Sequence, residues 1–106
     1  MAWLFLSIAG LFEVVWAVSL KYSEGFTKGW PSLITVAAMV VSFFFLAQAL
    51  RTIPVGTGYA VWTGIGAVGT AILGVVLFAE PVTLLRLGCI ALIVSGILGL
   101  KLASGV

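Results

Sequence analysis

Glu13 stands near the middle of the apolar run "GLFEVVWAVSL", residues 10 to 20, and no lysine or arginine lies within seven positions of it. An ionised carboxylate surrounded by hydrocarbon is disfavoured. Such a group therefore takes up a proton or pairs with a cation. The chain has no histidine, so Glu13 is the obvious proton carrier, and the cation must come from outside. A single group that holds either a proton or a cation, never both, couples their movements. That is the minimal logic of a proton/cation antiporter.

The surrounding residues fit this chemistry. Trp16 follows Glu13 by three positions, and Ala9, Gly10 and Ala17 share the same helical face. The small residues leave space, and the indole supplies a wall and an N–H donor. Tyr59 and Trp62 repeat the three-residue spacing further along the chain. Aromatic faces attract cations by about 0.5–2 kcal/mol. Ser42 offers a hydroxyl that either holds the carboxylate or bonds to the backbone of its own helix.

These residues need a frame, and the composition dictates which kind. Of the 106 residues, 63% are hydrophobic and 8% charged, against about 25% charged in soluble domains. Such a chain cannot make a water-soluble surface, which makes it an integral membrane protein. A formal charge of +2, spread over several loops, does not suggest nucleic-acid binding. The lone Cys89 reads as a packed small hydrophobe. No zinc-type spacing occurs, no metal or cofactor is implied, and nothing points to an enzyme. The start "MAWLFLSIAG" lacks a basic leader region and reads as mature structure.

Charge-free stretches divide the chain. A helix needs about 20 residues to cross a bilayer. The spacing predicts an all-α membrane protein, one domain over residues 1–106, with four transmembrane helices at about 3–20, 31–50, 55–79 and 84–102. The fourth is short between Arg86 and Lys101, whose long side chains can snorkel to the interfaces. The apolar runs lack the period of two that barrel strands require. Pro31 falls in a first helical turn, and Pro54 and Pro81 fall in loops. Trp3, Tyr22 and Trp30 sit at span ends, where interfacial aromatics belong. With loops this short, the protein must act inside the bilayer.

Orientation is poorly specified. Lys21, Lys28 and Arg86 lie on one side and Arg51 and Lys101 on the other. Three against two is a weak bias under the positive-inside rule. Either the chain simply carries few charges, or it inserts both ways round.

The third span carries glycines at 56, 58, 64, 66, 69 and 74. Small residues allow close helix approach in lipid, whereas a dense glycine run also permits bending. Both a packing face and a hinge near Gly64 to Gly69 are open readings. The "GIGAVG" within it is no phosphate loop, since it follows no strand and has no lysine. Gly88, Gly96 and Gly99 mark a packing face on the fourth span.

Taken in order, "FEVVWAVSLKYSEGF" (12–26), the Pro-Ser pair at 31–32, "PVGTGYAVWTGIGAVG" (54–69) and "GILGLK" (96–101) make the whole chain resemble the small multidrug resistance family, and within it the guanidinium-exporter subtype. The resemblance implies a multi-pass protein of the bacterial inner membrane. It further implies an antiparallel dual-topology homodimer in which substrate and protons compete for the two copies of Glu13. Ser42, Tyr59, Trp62 and Trp16 would complete a network around the glutamates. Gly64 and Gly66 would form the bend that differs between subunits. The fourth helix would form the dimer contact through Cys89 and Gly96. The family usually spaces small residues there by seven, which selects Cys89 rather than Gly88. Drug exporters of the family have a small residue where this chain has Trp16 and an aromatic one where it has Met39. The expected cargo is therefore guanidinium and small guanidinyl cations. Export of hydrophobic quaternary ammonium compounds is the alternative. A non-transporting partner subunit is the alternative from another class.

Overall fold

The computed structural model describes residues 1–104. It consists of four helices joined by short turns: α1 (Ala2–Tyr22), α2 (Gly29–Ala49), α3 (Val55–Phe78) and α4 (Leu84–Ser104). Each is long and apolar enough to cross a membrane. Their chemistry explains why they are helices: no hydrocarbon-exposed backbone group can go unpaired, and a helix pairs all of its own.

The ends are fixed locally. Ser23, fully buried, donates from its hydroxyl to Leu20 O at 2.6 Å and accepts from Phe26 N at 3.1 Å. It thereby ties off α1. Pro31 lies in the first turn of α2, where its missing N–H costs nothing, and Pro54 immediately precedes α3. Thr83 caps α4, its hydroxyl accepting from Arg86 N at 3.0 Å.

Helix α1 is central. It packs against both α2 and α3, whereas α4 packs its backbone along α3 alone. The core lies between α1, α2 and α3 and contains Leu6, Ala9, Leu46, Ala49, Ile53, Val61 and Trp62. The start of α1 and the last turn of α4 share one side: Lys101 Nζ lies 5.0 Å from the ring centre of Trp3. On the other side Tyr22 meets Phe78 at 5.1 Å between rings.

The molecule measures 42 × 35 × 17 Å along its principal axes. The shortest dimension is less than two helix diameters of about 10–12 Å. The chain is thus a slab, not a closed bundle. No residue from 84 to 103 is fully buried.

Candidate functional site

Helix α1 meets α3 along Gly10, Glu13 and Val14, positions that helical spacing puts on one stripe. The opposing stripe of α3 is Ile65, Gly66 and Gly69. A methyl group added at Gly10 would overlap the Ile65 side chain; at Gly66 it would overlap the Glu13 carboxyl; at Gly69 it would overlap Val14. The Glu13 carboxyl therefore lies directly on the α3 backbone. Alanine favours helices over glycine by about 1 kcal/mol, so Gly66 gives up local helix stability for this close approach.

Other glycines of α3 have the same use toward other partners. Gly58 meets Leu50, and Gly64 meets Ile93 and Ile97 of α4. Helix α3 runs unbroken through residues 64 to 69. In this conformation the glycine stretch is a packing surface facing two helices.

Glu13 Oε1 is buried and has no hydrogen-bond partner among the described residues, and the same holds for Trp16 Nε1. Buried polar atoms are nearly always paired. Here an acceptor and a donor, three residues apart on α1, are both unsatisfied.

Ser42 is fully buried and works elsewhere. Its hydroxyl donates to Ala9 O at 2.6 Å and accepts from Trp62 Nε1 at 3.0 Å. This chain of bonds links α3, α2 and α1. Ser42 thus bonds neither the carboxylate nor its own helix, but the backbone one turn before Glu13. Nothing in the sequence marks Ala9 O as its partner, because a carbonyl carries no residue signature. Ser42→Ala strands the Trp62 N–H in a buried position. We expect the unfolding free energy in micelles to fall by about 1 kcal/mol. An unchanged value would mean that the bridge does not stabilise the fold.

Trp62 is 5% exposed and Tyr59 56% exposed. Their rings lie 5.4 Å apart at 60°, and Phe43 approaches Trp62 at 5.7 Å. Tyr59 therefore presents its ring at the edge of the slab, while Trp62 anchors it. On α4, Cys89 is exposed, and a methyl group at Gly88, Gly96 or Gly99 would touch nothing.

Comparison with known proteins matches residues 1–93 to the Small Multidrug Resistance protein family. A guanidinium exporter of Yersinia pseudotuberculosis is 61% identical over 104 residues, spanning 98% of this chain and 100% of its own. The guanidinium exporter of Escherichia coli is 61% identical over 104 residues, spanning 98% and 99%. That of Proteus vulgaris is 57% identical over the same length, spanning 98% and 100%.

Proposed function

We propose a function from the premise that this chain belongs to the small multidrug resistance family: it is a proton-coupled antiporter that exports guanidinium and small guanidinyl cations across the bacterial inner membrane. The observation that carries the proposal is the buried Oε1 of Glu13, unpaired among the described residues, in a span whose one cation, Lys21, lies eight positions away in the last turn. Intramembrane carboxylates are expensive and mark ion or proton pathways.

Guanidinium is planar, with N–H donors around its whole edge. A carboxylate accepts two of them side by side. Binding the cation neutralises Glu13, and so does binding a proton. Neither neutral form obstructs passage, whereas the bare carboxylate does. Export then follows from exchanging one occupant for the other on opposite sides.

The slab, 17 Å thick, is not a closed bundle around Glu13. The working unit is an antiparallel homodimer, with a second copy closing the site and bringing its own Glu13. Trp16, Tyr59 and Trp62 form the walls, and Ser42 holds Trp62 and the Ala9 turn of α1 in register. The open small-residue face of α4, with Cys89 and Gly96, is the contact between copies. Gly64 and Gly66 allow α3 to bend as access alternates. Identical subunits in opposite orientations make the inward-open and outward-open states equivalent, and the nearly balanced loop charges suit such dual insertion.

The test is electrical. Purified protein in liposomes should give currents on addition of guanidinium. Currents with tetraethylammonium and none with guanidinium would assign the cargo to quaternary ammonium compounds. Silence with both would point to a partner subunit of another membrane complex. A second expectation concerns pH. Protons compete for the same carboxylate, so apparent guanidinium affinity should fall as pH falls, by up to about tenfold per unit for each competing proton. An affinity independent of pH would separate the proton site from the cation site.

A further inference from the structure

The turn between α3 and α4 is strapped down by a pair of charges that the transport scheme does not use. Helix α3 ends at Phe78, and Ala79 adopts a left-handed conformation, φ 53°. A residue with a β-carbon is disfavoured there, so its surroundings must hold it. They do so at three points. Glu80 N donates to Gly74 O at 3.3 Å, closing the helix end. The Glu80 carboxyl fills the notch left by Gly74, where an added methyl would overlap it. Arg86, on the first turn of α4, bonds Glu80 Oε1 at 2.5 Å and Ala71 O at 3.3 Å through the same Nη2.

Two charged side chains thus bind the last two turns of α3, the connecting turn and the first turn of α4 into one unit. Farther along, α4 meets α3 at Gly64, against Ile93 and Ile97, and near its end Lys101 reaches the Trp3 ring of α1. Gly66, which carries the Glu13 carboxyl, lies along α3 between the clasp and the Gly64 contact. A bend of α3 near Gly64 to Gly69 is therefore flanked on both sides by contacts with α4.

We propose that Glu80 and Arg86 are positioning residues for transport: their clasp makes α3 and α4 move together, so that a change at Gly66 reaches the face where the copies meet. This rests on the antiport reading above. The clasp touches no part of the Glu13 site, so breaking it should slow turnover without weakening cation binding.

The test uses Glu80→Gln, Gly74→Ala and the double variant in the full-length protein. Glu80→Gln removes the charge, and Gly74→Ala evicts the side chain from its notch. Each should reduce guanidinium turnover several-fold at unchanged guanidinium affinity. The double variant should be no slower than the slower single one, because both changes break the same unit. Equal losses of affinity and turnover, unchanged turnover, or multiplying effects would each overturn the proposal. If the wild-type protein moves no guanidinium, the transport reading fails instead. Amide exchange then judges the clasp: in Gly74→Ala, loss of protection spreading from the turn at 79–83 into the first turns of α4 supports it, and loss confined to the turn refutes it.

Discussion

Glu13→Gln should reduce coupled guanidinium transport to background while leaving a folded protein. Glutamine has the shape of glutamate, so the contact with the Gly66 backbone survives. It also spares the membrane interior an ionisable group, so stability should not drop. Three properties disappear with the charge: the bidentate acceptor for guanidinium, the counter-charge that makes a cation tolerable at this depth, and the proton site. Truncating one partner of a buried, hydrogen-bonded charge pair costs about 2–5 kcal/mol, so guanidinium affinity should fall roughly 30-fold or more. Binding by calorimetry and flux in liposomes measure the two parts. A variant that still concentrates guanidinium against a proton gradient would remove Glu13 from the mechanism.

The second large effect belongs to a residue with no chemistry of its own. Gly66→Ala sets a methyl group into the space that the Glu13 carboxyl occupies. Either the carboxyl leaves its seat or α1 and α3 separate. Overpacking of this kind costs about 1–3 kcal/mol, partly offset by the better helix propensity of alanine. Gly69→Ala is the matched control. It inserts the same methyl group one turn away, against Val14 rather than the carboxyl. Both variants should lose stability in micelles. Gly66→Ala alone should also lose guanidinium affinity, by about tenfold or more, since misplacing a catalytic or binding group by 1 Å costs up to about 10²-fold. Equal affinity losses in the two variants would mean that Gly66 acts only through helix packing.

These two cases mark what could and could not be read from the sequence. The four spans were legible because the bilayer demands long apolar runs, and every charge but Glu13 lies between the helices or in a terminal turn. Glu13 was legible for the same reason in reverse, as the one carboxylate placed where the solvent penalises it. The glycine run of α3 was visible as a feature but not as a set of contacts. Gly64, Gly66 and Gly69 look alike in sequence, and only the rotation of α3 directs the first toward α4 and the others toward α1. Ser42 illustrates a different limit: a hydroxyl signals that a bond is made, not with which carbonyl, and its acceptor lies 33 positions away. In the sequence Arg86 reads only as a charge bounding the fourth span, and nothing marks Glu80 as its partner. Their spacing of six, interrupted by Pro81, matches no helical pairing rule, so their meeting depends on the reversal at Ala79.

The most direct measurement is a proton count. Guanidinium is added to purified protein in weakly buffered detergent solution at a series of starting pH values, and the acidity of the solution is followed. If cation and proton share Glu13, each binding event at a protonated site expels a proton: the wild-type solution acidifies, the signal saturates with guanidinium, and Glu13→Gln gives none. Guanidinium binding that calorimetry detects but that releases no proton at any starting pH, acidic ones included, would contradict the shared site, and with it the antiport mechanism.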